Sequence, residues 1–316
     1  MIDSRAQLRS DGDRPSIGIV APADRDGVRR LEDVGVGSLW VGGHVASPNP
    51  SPEAIVWLAR LVEQSRAAIV GTAALLLPLY PPAIVAKQLA DLDRAADGRL
   101  AIGIGVGGEY ESDFAAAEVP IAERGPRTDE AIGLLRSFWT GRPVDHHGPH
   151  HSFDGVRIHP PPAQAGGPPL LVTGRRPVAM RRAAALGDGW MPYLYSPERY
   201  ARSVTTIREH AVTIGRTSLD DFVWSAYVFV SLDDDATAAR ARALAFFGAT
   251  YRADYDEFLD RVACVGDVDA VTARLQAFCD AGARHLVLAP MGADPSVGER
   301  LLTEIVPRLS LTAGPA

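Results

Sequence analysis

The stretch over residues 66–109 constrains the fold of this chain more than any other. It begins with a charge-free apolar run at residues 67–77, which is typical of a strand buried on both faces of a parallel sheet. Pro81 and Pro82 then open an amphipathic helix, and residues 99–106 form a second buried strand. Strand, helix and strand make one βαβ unit, and parallel sheets are built by repeating that unit.

Strand-like and helix-like segments alternate along most of the chain. The strand-like segments are residues 16–21, 38–42, 67–77, 99–106, 169–173, 189–193, 222–231 and 285–289. Their alternation with helices predicts a single α/β domain over residues 1–316, a (β/α)8 TIM barrel, although a doubly wound open sheet would show the same order. The polar residues 1–14 are predicted to form a flexible tail. Residues 107–167 break the pattern, and we interpret them as an insertion after the fourth strand that adds loops and a hairpin near one mouth of the barrel.

The charge and the cysteine content of the chain indicate which partners and which cellular location to expect. The formal net charge is -7 and the pI is about 5.6, which argues against nucleic acid or an anionic membrane as the main partner. Residues 67–86 carry no charge, but the prolines among them would break a membrane-spanning helix. Cys264 and Cys279 are the only cysteines, so we expect no disulfide framework and a reducing, cytoplasmic location.

Six stretches in one order resemble the luciferase-like oxidoreductases, barrels that bind FMN or the deazaflavin coenzyme F-420. The stretches are SLWVGGHVASP (38–48), VGTAALLLPLYPPAIVAKQLADLDRAADGRLAIGIGVGGEYESDF (70–114), ERGPRTDEAIGLLRSFWT (123–140), FDGVRIHPPPAQ (153–164), PPLLVTGRRPVAMRRAAALGDGW (168–190) and VGDVDAVTARLQAFCDAGARHLVL (265–288). The chain is most similar to the F-420-dependent branch common in actinobacteria. In any such barrel the site lies at the carboxyl ends of the strands.

A glycine-rich run at residues 103–108 formally satisfies G-x-G-x-x-G. A dinucleotide fingerprint should follow the first strand and lead at once into a helix, whereas this run follows the fourth strand and leads into an acidic segment. Glycines also clear space for a flat ring to lie against the backbone. The resemblance implies this use for Gly105, Gly107 and Gly108.

The third strand ends in small side chains, which suit tight packing in a barrel. The resemblance implies a bulge here, with a non-proline cis peptide near Ala73–Ala74 that backs the ring of the cofactor. It therefore places Thr72, Ala73 and Ala74 in the cofactor site.

Residues 173–176 join a strand to a helix and include two arginines. Free N–H groups at a helix start attract phosphate, although a solvated helix start with surface arginines would show the same residues. The resemblance implies that the coenzyme phosphate binds at Thr173, Gly174, Arg175 and Arg176. The family more often has Gly-Gly here, and Thr173 departs from that pattern.

His44 follows the second strand, where a lone histidine is more often structural than catalytic. The resemblance implies that His44 faces the ring and donates a hydrogen bond or relays a proton. Many relatives carry an acidic residue just before this histidine, and here that residue is Gly43. Glu109 is the replacement candidate for the missing acid.

Aromatic residues follow the sixth predicted strand. Tyr193 and Tyr195 are interpreted as walls of a substrate pocket, while Trp190 could equally be a core aromatic. A separate run, His146-His147-Gly-Pro-His150-His151, invites a metal interpretation. Its Gly-Pro step forbids a regular helix and no set of partner ligands accompanies it, so we expect no native metal site.

These observations lead to three hypotheses. The first is an enzyme that transfers a hydride between coenzyme F-420 and a small organic substrate. The second is an FMN-dependent monooxygenase on the same barrel, and the third is a non-catalytic coenzyme-binding barrel.

The family commonly forms homodimers, which the sequence itself does not show. No lysine follows the fifth strand to hold a substrate phosphate, which disfavours a sugar phosphate.

Overall fold

The computed structural model describes residues 3–10, 12–251, 254–292 and 294–311. Its strands are β1 (Ser16–Val20), β2 (Ser38–Val41), β3 (Ile69–Leu76), β4 (Leu100–Gly105), β5 (Val144–His147), β6 (Ser152–Val156), β7 (Leu170–Thr173), β8 (Gly189–Met191), β9 (Val223–Leu232), β10 (Ala263–Gly266) and β11 (His285–Pro290). Eight of these strands pair in parallel, in the order β11-β1-β2-β3-β4-β7-β8-β9. Because β9 also pairs with β11, the sheet closes on itself. The predicted (β/α)8 barrel is confirmed, and the open sheet is excluded.

Helices cover the outside and the lower end of the barrel. They are α1 (Ser4–Arg9), α2 (Arg25–Asp33), α3 (Ala54–Gln64), α4 (Pro82–Ala95), α5 (Glu111–Ala116), α6 (Arg124–Phe138), α7 (Pro177–Leu186), α8 (Pro197–Thr213), α9 (Ala236–Tyr251), α10 (Leu259–Val262), α11 (Val268–Asp280) and α12 (Ser296–Arg300), which continues into a π-helix at Leu301–Ile305. Several begin at a side-chain cap, such as Asp24 on α2 and Ser196 on α8. Within the described ranges, no helix is long and apolar enough to cross a membrane.

The amino-terminal segment closes the bottom of the barrel. Asp3 caps α1, and Ser4 Oγ donates a hydrogen bond to the Gly98 carbonyl at 2.6 Å. Leu8 is fully buried and packs in the interior cluster that contains Trp40 and Ile69. The predicted flexible tail over residues 1–14 is therefore wrong for α1, because one apolar side chain and several polar contacts hold this helix in place. Residues 1, 2 and 11 lie outside the described residues.

A polar network crosses the same lower part of the barrel. His285 Nε2 lies 3.0 Å from Ser38 Oγ, and His285 Nδ1 lies 2.8 Å from Ser225 Oγ. Trp40 Nε1 donates to the same Ser38 hydroxyl at 2.9 Å. Burial lowers the pKa of His285 to about 3, so the imidazole stays neutral and both of its nitrogens have a partner.

The insertion forms a hairpin of β5 and β6 that lies along α6. Phe153 stacks on Phe138, the last residue of α6, with ring centroids 5.4 Å apart. His146 Nε2 lies 2.7 Å from Glu130 Oε1, and Glu130 also accepts the backbone N–H of His151 at 3.1 Å. The hairpin therefore packs beside α6.

The histidine run of the hairpin is held by individual carboxylates. His147 and His150 each lie near one acid, Asp154 and Glu123, at 3.1 and 3.4 Å. Within the described residues, no group of three or more His, Cys, Asp or Glu side chains could hold a metal ion.

Candidate active site

A cavity of about 370 Å³ opens at the carboxyl ends of the barrel strands. It is lined by several of the residues predicted from the sequence: His44, Ala73, Ala74, Gly105, Gly107, Glu109, Thr173, Gly174 and Tyr193. The other predicted residues are near the cavity but do not line it: Thr72, Gly108, Arg175, Arg176, Trp190 and Tyr195. The structure thus brings together predicted residues from five separate stretches of the chain.

One wall of the cavity is made of small residues. The peptide bond between Ala73 and Ala74 is cis, and the register of β3 against β4 shifts between Thr72 and Leu75. The bulge and the cis peptide implied by the resemblance are confirmed. Thr72 lies behind this wall, where its hydroxyl donates to the Gly103 carbonyl at 3.0 Å.

Glycine keeps this wall flat. A Cβ on Gly105 would lie 3.2 to 3.4 Å from the side chains of Leu76, Ala74 and Thr173. Gly107 has a φ of +68°, which glycine adopts without steric cost, and it turns the chain out of β4. A flat ring can therefore approach the backbone here, and the wall fits the ring of a flavin or deazaflavin.

The corner after β7 has the features expected of a phosphate site, although its side chains are partly engaged. Thr173 Oγ1 donates to the Ile104 carbonyl at 3.0 Å, and Gly174 has a φ of +121°. Arg176 precedes the first residue of α7, where no side chain caps the helix. The Arg175 guanidinium lies 4.8 Å above the ring of Tyr193. Two arginines and an uncapped helix start thus give this corner a positive potential.

His44 has an acidic partner that the sequence did not reveal. Its Nδ1 lies 2.8 Å from Asp113 Oδ2, and the other oxygen of Asp113 accepts the backbone N–H groups of Val45 and Ala46 at 2.8 and 2.7 Å. Because a carboxylate only accepts hydrogen bonds, Nδ1 carries the donated hydrogen. Within the described part of the chain, His44 Nε2 makes no hydrogen bond, so it is available to a ligand in the cavity.

Exposure separates the two members of this pair. The side chain of His44 is 24% exposed, whereas that of Asp113 is 1% exposed. Asp113 therefore holds the imidazole from the buried side and does not face the cavity. Tyr110 also packs edge-on against the imidazole, with ring centroids 4.9 Å apart, which further fixes its orientation. The only sequence signal for Asp113 is its place in the acidic first turn of α5.

The geometry explains why no acid stands at position 43. A Cβ on Gly43 would lie 2.1 Å from the carbonyl oxygen of Pro52 and 2.8 Å from the backbone nitrogen of Ala54. The same Pro52 carbonyl accepts the backbone N–H of His44 at 3.1 Å, which ties the two segments together. Any side chain at this position would force the backbone apart.

Glu109 is paired with Tyr193 at the rim of the cavity. The Tyr193 hydroxyl donates to Glu109 Oε1, and burial together with the charge of Glu109 raises the pKa of Tyr193. The phenol therefore stays protonated at neutral pH. Glu109 lies in the cavity as predicted, but the structure gives His44 a different partner, Asp113.

Two predicted pocket aromatics lie in the core. Trp190 is fully buried, stacks on Tyr200 with centroids 5.2 Å apart, and donates from Nε1 to the Gly174 carbonyl at 3.1 Å. Tyr195 is 3% exposed and packs edge-on against Trp190. The turn at Leu194, which has a φ of +52°, sends Tyr195 away from the cavity. These residues support the corner after β7 from behind and do not line the pocket.

The wall facing the small residues is aromatic. Tyr227 and Phe229 come from β9, and Tyr251 comes from the last turn of α9. Trp57 on α3 completes the rim. These residues could not be recognised from the sequence, because aromatic residues in a buried strand and on a helix are usually part of the core.

A parallel barrel with a ring-sized cavity at the carboxyl ends of its strands has the architecture of a TIM-barrel enzyme. The model of the luciferase-like monooxygenase family matches residues 7–285, so the chain belongs to that family and the resemblance is confirmed. The relatives and solved structures below are described as oxidoreductases or monooxygenases, apart from one uncharacterised protein.

An uncharacterised protein of Mycobacterium tuberculosis is 35% identical over 142 residues, which cover 45% of this chain and 48% of the relative. In that comparison the chain spans about half of the relative's length. A protein of Amycolatopsis mediterranei described as an F-420-dependent glucose-6-phosphate dehydrogenase is 26% identical, over 93% of this chain and 98% of the relative.

Solved structures with the same fold bind either cofactor. An F-420-dependent secondary alcohol dehydrogenase in complex with an F-420-acetone adduct matches with a TM-score of 0.81 and 20% identity, over 93% of this chain and 98% of that chain. The FMN-bound oxygenating constituent of 3,6-diketocamphane monooxygenase from Pseudomonas putida matches with a TM-score of 0.77 and 20% identity, over 95% and 99%. At this identity the likeness concerns the fold alone.

Proposed function

We propose that this protein is an F-420-dependent oxidoreductase that transfers a hydride between the coenzyme and a small organic substrate. The observation that carries the proposal is the flat wall at Ala73–Ala74 and Gly105, which lies in one cavity with His44. Full-length similarity to an F-420-dependent enzyme at 26% identity supports the choice of coenzyme.

Each part of the coenzyme has a matching group of residues. The ring would rest against Ala73, Ala74 and Gly105, where side chains are small. The phosphate would bind at Gly174 and the uncapped start of α7, close to the positive charge of the two arginines. When bound, the deazaflavin supplies or accepts a hydride at C5 of its ring.

His44 is the proton-exchanging group in this proposal. Its Nδ1–H bond to Asp113 fixes the orientation of the imidazole, so that Nε2 gives a proton to the substrate oxygen during reduction and takes it back during oxidation. Because Asp113 is buried and bound by two backbone N–H groups, it holds His44 without reaching the substrate. Asp113 is thus a positioning residue.

The test is a fluorescence titration of the purified protein with oxidised F-420 and, in parallel, with FMN. We expect F-420 to bind at least roughly tenfold more tightly than FMN, a difference of about 1.4 kcal/mol. Gly105→Val should fill the ring wall and weaken binding of F-420. Gly133→Ala is the matched control, because nothing lies within 4 Å of a Cβ at that position on α6.

The other outcomes separate the alternatives. Tight binding of FMN with weak binding of F-420 would contradict the proposal and favour the monooxygenase. If neither cofactor bound while the protein was folded, the non-catalytic barrel would be favoured.

A further inference from the structure

We propose that the substrate is an uncharged, mostly apolar ring compound whose reacting group is a ketone or an alcohol. This inference rests on the proposed function and names the class of substrate for the same site. It differs from the sugar phosphate named in the description of the Amycolatopsis relative. Charge, wall composition and hydrogen-bonding groups support it separately.

The charge of the cavity disfavours an anionic substrate. Among the described residues that line the cavity there is no lysine or arginine, and the one carboxylate is Glu109. A phosphate or carboxylate on the substrate would lose its hydration and find no cationic side chain in the cavity to replace it. It would also be repelled by the negative charge of Glu109. The nearby Arg175 lies over the ring of Tyr193, at the corner assigned to the coenzyme phosphate.

The substrate side of the cavity is an aromatic surface with fixed geometry. Phe229 contacts Tyr227 and Tyr251 edge-on, with ring centroids 5.2 and 6.3 Å apart. Phe247 is fully buried behind them and stacks on Tyr251 at 5.8 Å. Rings held in this way offer a preformed apolar surface, which favours flat or cyclic hydrocarbon groups over hydrated ones.

The same wall carries hydroxyls that a substrate oxygen can use. The Tyr227 and Tyr251 hydroxyls make no hydrogen bond to any other residue in the described ranges, and both residues line the cavity. Burial raises the pKa of both phenols, so they remain neutral donors at physiological pH. A single neutral donor can satisfy a carbonyl or hydroxyl oxygen of the substrate. Neutral donors alone do not compensate the loss of hydration of a doubly charged phosphate.

The reaction balances with the groups already named. During reduction of a ketone, the carbonyl carbon would gain the hydride that the reduced coenzyme supplies. The oxygen would gain a proton from Nε2 of a doubly protonated His44, which is left as a neutral imidazole with its Nδ1–H on Asp113. The C=O double bond would become a single bond, the product would be an alcohol, and the coenzyme would supply the two electrons as the hydride. Oxidation of an alcohol is the exact reverse.

A matched pair of substrates tests the inference. With the coenzyme-loaded protein, kcat/KM for 4-methylcyclohexanone should exceed that for 4-oxocyclohexanecarboxylate by roughly 100-fold, because the two differ only in a methyl and a carboxylate. Glu109→Gln should narrow this ratio several-fold, since it removes the repelling charge and keeps a group that can accept from Tyr193. Glucose 6-phosphate should be turned over no faster than the carboxylate.

A second variant tests the role of the Tyr227 hydroxyl. Tyr227→Phe should raise KM for the cyclic ketone roughly tenfold and leave coenzyme affinity unchanged. Tyr255→Phe is the matched control, because Tyr255 stacks on Phe247 without lining the cavity. An unchanged KM in Tyr227→Phe would contradict the assignment of this hydroxyl.

A binding measurement keeps the inference separate from the proposed function. Trp40 and Trp57 both line the cavity, so their fluorescence should report its occupation even when no coenzyme is bound. Quenching by 4-methylcyclohexanone but not by glucose 6-phosphate would support the inference, whichever coenzyme the protein uses. A preference for the phosphate or the carboxylate in either assay would overturn it, while failure to bind F-420 would contradict only the proposed function.

Discussion

The two ends of this barrel each hold a histidine in a polar network, yet the two histidines are suited to opposite tasks. His285 lies at the closed end between Ser38 and Ser225, and burial lowers its pKa to about 3. His44 lies at the open end, is partly exposed, and is paired with the carboxylate of Asp113. A fully buried imidazole between hydroxyls stays neutral and stabilises the fold, whereas an imidazole with a carboxylate behind it and a cavity in front can exchange a proton.

The largest expected effect is that of replacing the histidine at the mouth. His44→Gln should lower kcat by roughly 100- to 10,000-fold, the usual contribution of a general acid or base. The free energy of unfolding should change little, because the residue contributes to the cavity and not to the core. Steady-state kinetics at saturating coenzyme and urea unfolding measure the two quantities. A variant with the kcat of the wild type would remove His44 from the mechanism.

The histidine at the closed end should instead make stability depend on pH. Because its folded pKa is about 3 and its unfolded pKa is near 6.5, the unfolded chain binds more protons between these values, and the free energy of unfolding falls as the pH drops. The loss from this residue should be about 2 kcal/mol near pH 5. His285→Gln should lose less stability than the wild type over the same interval in urea unfolding.

The carboxylate of Glu32, whose pKa is also shifted, does not interfere with this measurement of stability against pH. Burial would raise the pKa of Glu32, but hydrogen bonds from the backbone of residues 66–68 and from Ser65 lower it to about 2. The stability that Glu32 contributes is fully present above its unfolded pKa of 4.5 and is lost only as the pH falls below that value. An equal slope in wild type and His285→Gln between pH 7 and about pH 5 would therefore contradict the account of His285.

A smaller effect is expected at the partner of His44. In Asp113→Asn the amide can still accept from the backbone N–H groups of Val45 and Ala46, but it presents a donor to His44 Nδ1. The imidazole must then turn or change tautomer, so kcat should fall roughly tenfold and its pH profile should shift. Glu111→Gln in the same turn of α5 is the control, since Glu111 is exposed. A lower kcat with an unshifted pH profile would indicate a merely structural role.

The barrel could be predicted because its signals are local. Charge-free runs such as residues 67–77 and helix starts at prolines repeat along the chain, and each βαβ unit can be recognised without the others. The small strand β10 was missed because its four residues lie between helices and carry no long apolar run. It pairs with the end of β9, which only the folded sheet reveals.

The site could be predicted only in part, because several of its contacts join distant segments. Asp113 is 69 positions from His44, and nothing in either local pattern links the two. Likewise, Leu8 is the single buried apolar side chain of α1, so the helix shows no periodicity that a sequence could reveal. Tyr195 was misplaced because the direction of the chain after β8 depends on the left-handed turn at Leu194.

The central claim is that the coenzyme binds at the mouth, beside His44, and leaves the closed end untouched. An NMR correlation spectrum of isotope-labelled imidazoles, assigned with His44→Gln and His285→Gln, tests it directly when recorded without and with saturating oxidised F-420. We expect the ring resonances of His44 to shift and those of His285 to remain where they are. An unmoved His44 at saturation, or a shift confined to His285, would contradict the account.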